Sequence, residues 1–370
     1  MKKQAFDMFA VTALGLESEC ARELVALEME DVRVEKGGVS FSGGLEELYL
    51  ANLWLRSASR VLVRVGIFGC KDFPDLYRKA LRLPWGRFIK PGTGVRIRAT
   101  SHRSRLQHTG RIAETVQTSI NRALGSVEGC KDAFSQMVLL RFEDNQCLVS
   151  IDSSGELLHR RGYRKMIGAA PLRETLASGV LMLLGWDGRS PLVDPMCGAG
   201  TFVIEGALMG MGRAPGIART FAFMHWPRYR PGLWSVLQTS ARARERDPEG
   251  ALIGQDRDAG VLKAARDNAI AAGVDKVTEF READLEKAAV PFGPGLVLCN
   301  PPYGERIGRD TGLVDLYHRL GNVYRSHYRG WTGAVLCPVG PLAKALGDGF
   351  DCIARLQNGG IEVGLYRVNL

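Results

Sequence analysis

An acid at the end of a short apolar strand, followed at once by a glycine turn and a helix, limits what this 370-residue chain can fold into more than any other feature. The segment is Asp194-Pro-Met-Cys-Gly-Ala-Gly-Thr201, entered through Pro191-Leu-Val193. A break of this kind presents backbone N–H groups to a ligand at the carboxyl edge of a parallel sheet. Further on, the apolar run Leu296-Val-Leu-Cys299 ends in Asn300-Pro-Pro-Tyr303. Strands are expected up to Asp194 and over Leu252–Asp256, Val277–Phe280, Leu296–Cys299 and Ala334–Cys337. Helices over Leu172–Leu184, Phe202–Met211, Gly260–Ala272 and Leu313–Tyr328 alternate with them. This alternation predicts an α/β fold with a parallel, doubly wound sheet. Cys352–Leu356 and Ile361–Val368, around Asn358-Gly-Gly360, predict an antiparallel hairpin closing its edge.

The Gly198-Ala-Gly200 turn alone fixes no ligand. A dinucleotide fingerprint needs a third glycine at 203, where Val203 stands, so nicotinamide and flavin cofactors are disfavoured. What remains is an acid, Asp194, suited to a cofactor that carries an ammonium group, as S-adenosylmethionine does. Two vicinal ribose hydroxyls are best held by one carboxylate accepting from both. Asp256 is the first candidate, with Asp258 as the alternative. Asp284 is placed to accept from an adenine amine, or else to cap a helix or to stand as a solvated loop acid.

Asn300-Pro-Pro-Tyr303 is the most specific element. An exocyclic amine conjugated with its ring is a poor nucleophile. The Asn300 side-chain oxygen and the Pro301 carbonyl can accept its two hydrogens, while Pro301 and Pro302 stiffen the turn. Tyr303 offers a ring on which an extruded base can stack. Cys197 and Cys299 border the motifs and are expected to pack rather than to attack. Methyl transfer to a base nitrogen is the expected reaction, and the tetrad suits adenine amines as well as guanine ones.

The first half reads differently. Phe6–Thr12, Val32–Phe41 and Val61–Phe68 have strand patterning, with helices over Glu17–Leu27 and Leu45–Ser57. A second small unit follows, with helices over Phe73–Leu83 and Gly110–Leu124 and strands at Val95–Thr100, Met137–Phe142 and Gln146–Ile151. The net charge of +9 is concentrated here: Leu76–Ala123 holds eleven Lys or Arg against the single acid Glu114. Such a window marks contact with a polyanion, or a solvated basic face. Boundaries are placed at 1–68, 69–158 and 159–370, with Arg160-Arg-Gly-Tyr-Arg-Lys165 at the last junction. Between Arg213 and Gly250 lies an insert with seven Arg, Trp226, Tyr229 and Trp234, which either grips RNA or packs on the domain surface. Eight cysteines without a C-x-x-C pair point to reduced thiols and no metal site. With no long apolar run and no leader, a soluble, cytoplasmic protein is expected.

Together with Leu158-His-Arg-Arg-Gly-Tyr-Arg164, Ala170-Pro-Leu-Arg-Glu-Thr-Leu176, Gly37-Gly-Val-Ser-Phe41 and Ala51-Asn-Leu-Trp-Leu-Arg56, these motifs resemble the THUMP-domain RNA guanine-N2 methyltransferases. The bacterial enzymes acting on 23S ribosomal RNA are the members most like it. The second motif extends in that resemblance to Asn300-Pro-Pro-Tyr-Gly-Glu-Arg-Ile307. The resemblance implies a ferredoxin-like N-terminal unit, a THUMP module that binds structured RNA, and a Rossmann-like class I methyltransferase domain using S-adenosylmethionine. It implies that the cofactor is met by Asp194, Gly198, Gly200, Asp256 and Asp284, with Pro195, Cys197, Thr201 and Asn300 beside them. Asn300 would hold the target amine, with Pro301, Pro302 and Tyr303 shaping its pocket. Some relatives carry a second methyltransferase domain, and this sequence ends at Leu370, so one modification is expected. A transfer RNA guanine, an adenine in RNA or DNA, and a non-catalytic assembly role stay open as alternatives.

Overall fold

Two seven-stranded sheets organise the chain. The structure, a computed structural model, describes residues 5–125, 134–164, 172–288, 290–303 and 311–370. Cys130, Lys165, Ala170-Pro171 and Gly304-Glu-Arg-Ile307 lie outside these residues.

The first half runs β1 (Phe6–Thr12), α1 (Glu17–Ala26), β2 (Glu30–Glu35), β3 (Gly38–Gly43), α2 (Leu45–Trp54) and β4 (Ala58–Gly69). It continues through α3 (Phe73–Leu81), β5 (Gly94–His102), α4 (Thr109–Leu124), β6 (Ser135–Glu143) and β7 (Gln146–Asp152). The two small units expected from patterning share one sheet, in the order β2-β3-β1-β4-β7-β6-β5. Strand β4 makes the join: at 12 residues it is long enough to pair with β1 along one edge and with β7 along the other. Alternation puts Met8 and Ala10, Val61 and Val63, Val138 and Leu140, and Val149 and Ile151 into one buried core. Helix α3 starts where Asp72 accepts from the Asp75 N–H at 2.8 Å, with Pro74 in its first turn. Nine of the eleven basic residues of the 76–123 window are exposed, so the window is a solvent-facing surface.

The second half runs α5 (Glu174–Leu183), β8 (Leu192–Asp194), α6 (Thr201–Gly210), α7 (Pro231–Arg242), β9 (Leu252–Asp256), α8 (Ala259–Ala272), β10 (Glu279–Glu282) and β11 (Leu296–Cys299). It closes with α9 (Thr311–His327), β12 (Thr332–Pro338), α10 (Pro341–Ala345), β13 (Asp351–Asn358) and β14 (Ile361–Asn369). Strand order is β10-β9-β8-β11-β12-β14-β13, parallel up to β12, with β14 antiparallel to both neighbours. Side chains from α5, α6 and α8 form the core on one face and those from α9 and α10 the core on the other. Helix α6 is apolar nearly all round because it is buried on every side. Strand β10 begins two residues later than Val277–Phe280 predicts. Val277 N–H donates to the Val274 carbonyl in a turn after α8, and its side chain reaches the core from there.

The insert between α6 and β9 packs across onto the first half. Trp226 and Trp234 are 2% and 5% exposed and belong to the N-terminal core, so these rings are not a surface for RNA. Trp226 stands edge-on to Phe88 at 5.0 Å, and its Nε1 donates to Gln136 Oε1 at 2.8 Å. Tyr49 stacks on Phe223 at 4.4 Å and meets Trp234 at 89°. Large aromatic rings at such geometry bury much area and fix orientation.

Candidate active site

Register brings the motif residues to one edge. Asp194 lies opposite Gly254, so Asp256 stands two residues beyond it on the strand to one side. Val193 lies opposite Val297, which puts Asp194 level with Leu298 and Asn300 two residues beyond it, just past the end of the strand to the other side. Glu282, the last residue of β10, pairs with Asp256, which puts Asp284 two residues past the end of that strand. At one strand spacing per step, Asp256 and Asn300 flank Asp194 across about 10 Å.

The glycine turn is held from below. Cys197 N–H donates to the Gln255 carbonyl at 2.7 Å, and Gly198 N–H donates to Asp256 Oδ2 at 3.0 Å. Asp256 Oδ1 accepts from Asp258 N–H at 3.0 Å, so two backbone donors orient this carboxylate. Gly198 has φ +52°, and a Cβ there would meet nothing within 4 Å, leaving open space over the turn. Gly200, at φ +80°, has no such room, since a Cβ would come within 2.8 Å of the Phe280 ring. Thr201 opens α6 and accepts from Arg164 Nη2 at 2.9 Å. Pro195, between the acid and the turn, is buried.

Each acid has its own environment. Asp194 is 2% exposed and accepts from Met196 N–H at 3.1 Å; burial, with Asp256 close by, pushes its carboxyl well above the usual range. Asp258 caps α8, accepting from Gly260 N–H at 2.7 Å and Val261 N–H at 3.3 Å, which occupies it structurally. Asp284 is exposed and makes no cap bond to the short 3-10 turn Leu285–Lys287 that follows it, so capping is not its role.

Asn300 is the least satisfied residue of the group: its Oδ1 is buried and, among the described residues, has no hydrogen-bond partner. Buried carbonyl oxygens are nearly always paired, so an orphan at a sheet edge is an acceptor awaiting a donor. Pro301 is buried and Pro302 exposed, and the Pro302 carbonyl accepts from Tyr317 hydroxyl at 3.5 Å. Tyr303 is partly buried, its hydroxyl accepting from Asn358 Nδ2 at 2.7 Å. Burial pushes the Cys197 and Cys299 thiols well above their usual range, which keeps them protonated and unreactive.

Sequence reasoning passed over a buried polar cluster behind α6. Glu205, fully buried, accepts from Tyr163 hydroxyl at 3.0 Å and Ser178 hydroxyl at 2.5 Å and pairs with Arg161 at 3.4 Å. Arg161 also donates to the Arg56 carbonyl at 2.7 Å, and Arg56 donates to the Arg213 carbonyl at 2.6 Å. Ala51–Arg56 and Leu158–Arg164 therefore meet where the two halves touch. Their arginines are the available signal, but nothing in either segment alone says that they pair.

The catalytic half, residues 161–350, matches a family model described as the RMKL-like methyltransferase domain. Residues 7–62 match the RlmL ferredoxin-like domain and 70–152 the THUMP domain. A Synechocystis sp. protein whose name proposes an RNA methyltransferase is 35% identical over 98% of this chain and 96% of its own length. A ribosomal RNA large subunit methyltransferase K/L of Syntrophotalea carbinolica is 36% identical over 98% of this chain. The chain spans about half, 53%, of that protein's length. Among solved structures, a methyltransferase-like protein, SMU.472, in complex with SAH superposes with a TM-score of 0.89 at 30% identity, covering 100% of this chain and 99% of its own.

Proposed function

Because this chain belongs to the RMKL-like methyltransferase family, with ferredoxin-like and THUMP domains ahead of the catalytic one, we propose that it methylates the exocyclic N2 amine of a guanosine in RNA, using S-adenosylmethionine. Large-subunit 23S ribosomal RNA is the favoured substrate, by the names of its half-matched relatives. The exposed basic window on α3, β5 and α4 is the surface suited to its phosphates. A cytoplasmic location goes with that substrate. Domain limits of 1–68, 69–158 and 159–370 fit this division of labour.

The observation that carries the reading is the orphaned Asn300 Oδ1 beside the open glycine turn. The residues present fit the cofactor: Asp256 is oriented for vicinal hydroxyls, Asp284 is free of a cap for an amine, and the Gly198 turn leaves room above it. Asp194 is the acid available to an ammonium group. When bound, S-adenosylmethionine supplies a methyl group on a sulfonium. Asn300 Oδ1 and the Pro301 carbonyl accept the two amine hydrogens, turning the nitrogen lone pair out of conjugation with the ring. As the N–C bond forms and the S–C bond breaks, positive charge gathers on that nitrogen, and the two acceptors stabilise it more than they stabilise the neutral amine. One amine proton then leaves to water. No nucleophilic side chain is needed.

The test incubates the purified protein with labelled S-adenosylmethionine and undermodified total RNA, then separates RNA by size and analyses nucleosides. N2-methylguanosine in the large ribosomal RNA is the expected result. Label in small RNA moves the substrate to transfer RNA, and label in methyladenosine overturns the base assignment.

A further inference from the structure

The terminal hairpin reaches the tetrad through one hydrogen bond, and the sheet explains why. Strand β14 runs antiparallel beside β12, with Pro338 opposite Val363 and Cys337 opposite Gly364. Its start therefore lies at the carboxyl edge of the parallel strands, the edge that carries Asp194, Asp256 and Asn300. Strand β13 pairs with β14 up to Asn358 opposite Ile361, leaving Gly359 and Gly360 as a two-residue turn. Their φ values of +59° and +92° suit the tight hairpin turn whose twist matches the strands. Asn358 is thus the last paired residue of an edge strand, held by its backbone pairing with Ile361 and by the tight turn that follows. Tyr303 is the opposite case, a ring on a loop beyond two prolines. Among the described residues its hydroxyl has one hydrogen-bond partner, Asn358 Nδ2 at 2.7 Å.

We propose that Asn358 is a positioning residue for the methyl transfer: it holds Tyr303 in place to receive the target base, making the hairpin tip one wall of the base pocket. This rests on the tetrad being the amine site. A ring free to rotate must be ordered each time a base enters, whereas a ring already tied to a sheet keeps that base at the angle transfer requires. Because the Tyr303 hydroxyl accepts from Asn358, its own proton stays available to the base, and burial of the phenol favours the protonated form.

Asn358→Ala removes the donor and leaves the paired backbone. With the RNA fraction that the unaltered enzyme labels, kcat is expected to fall about fivefold, the loss of one neutral hydrogen bond, with cofactor affinity unchanged. Tyr303→Phe keeps the ring and removes the other partner. The double variant is expected to fall no further than Tyr303→Phe alone, because the two residues act through one bond. A second readout needs no RNA. In protein labelled with 13C-tyrosine, the Tyr303 ring signal, assigned by its absence in Tyr303→Phe, is expected to broaden or split in Asn358→Ala. Additive losses in the two variants, or an unmoved Tyr303 signal, overturn the proposal. A chain that labels no RNA at all overturns the functional reading instead, and the spectrum then decides the coupling of Asn358 to Tyr303 by itself.

Discussion

Asn300→Ala separates a residue kept for chemistry from one kept for folding. Asn300 Oδ1 is buried and accepts from no donor among the described residues. A buried carbonyl without a donor costs a fold about 1–3 kcal/mol of desolvation. Removing it recovers that energy, less the contacts of the amide with its neighbours, so stability is expected to hold or to rise by about 1 kcal/mol. For a chain of 370 residues this is a shift in Tm of only about 1–2 °C, and its sign is the informative quantity. Activity should move the other way. A preorganised acceptor that stabilises charge in the transition state is worth about 100- to 1000-fold in kcat. The assay pairs thermal unfolding of the cofactor-free protein with labelled methyl transfer, and adds cofactor affinity by titration calorimetry, expected unchanged within about twofold because Asn300 acts on the amine. A variant that loses both stability and turnover would show that Oδ1 serves the fold. Full turnover would remove Asn300 from the mechanism.

Three further outcomes follow from the same geometry. Burial raises the Asp194 carboxyl, so the free protein holds a proton there above the ordinary Asp range; a cationic ammonium wants the carboxylate, and cofactor affinity should climb with pH by up to about tenfold per unit until Asp194 is ionised. Calorimetry of the unaltered protein and of Asp194→Asn across acid pH checks this, since the variant should bind weakly with a flat profile and a shared slope would place the proton elsewhere. Burial and the surrounding arginines push His159 down to about 4 from 6.5, so the unfolded chain binds the extra proton between those values and stability falls as pH is lowered through that window. Allowing for solvent screening of a partly exposed ring, between pH 7 and pH 5 this amounts to about 1 kcal/mol or less, which urea unfolding should show and His159→Gln should remove. Trp226→Phe keeps a ring against Phe88 but leaves Gln136 Oε1 unpaired, and should lower stability by about 1–3 kcal/mol, against about 3–5 for Trp226→Ala; an unchanged stability in Trp226→Phe would mean the indole N–H contributes nothing.

Features carried by local pattern were legible before the fold was. Asp194, Gly198 and Gly200 announce a strand, a turn and a helix because only glycine enters φ of +52° and +80° without strain. Asn300-Pro-Pro-Tyr303 announces an amine site because each residue type has a separate chemical reason to be there. What stayed out of reach was pairing between distant segments. The Asp256 and Asp258 carboxylates look alike in sequence, and only the cap on α8 shows that Asp258 is spent. Val277 has strand character, yet the turn after α8 puts it two residues ahead of β10. Asn358-Gly-Gly360 reads as a turn and gives no hint that its first residue touches Tyr303, 55 positions away.

The insert shows the same limit and carries a consequence for how RNA is handled. Alternating aromatics and arginines are the composition of a nucleic-acid grip, but they are equally the composition of a brace, and burial decides between the two. Trp226 and Trp234 close over the first sheet, while Arg219 donates to the Glu156, Leu157 and Arg160 carbonyls of the linker. Leu16, at the start of α1, packs directly on Gly179 of α5, where a Cβ would fall within 2.5 Å of it. With the Arg56–Arg161–Glu205 cluster, these contacts tie the first half, whose single sheet carries the basic module, to the catalytic domain at three separate places. A hinge between the two would have to break buried charge and aromatic packing together, each worth several kcal/mol. Under the proposed function, an RNA seated on the basic window therefore meets Asn300 at a fixed reach. The choice of guanosine is then made by the shape of the RNA rather than by movement of the protein, and the base itself has to move into the pocket.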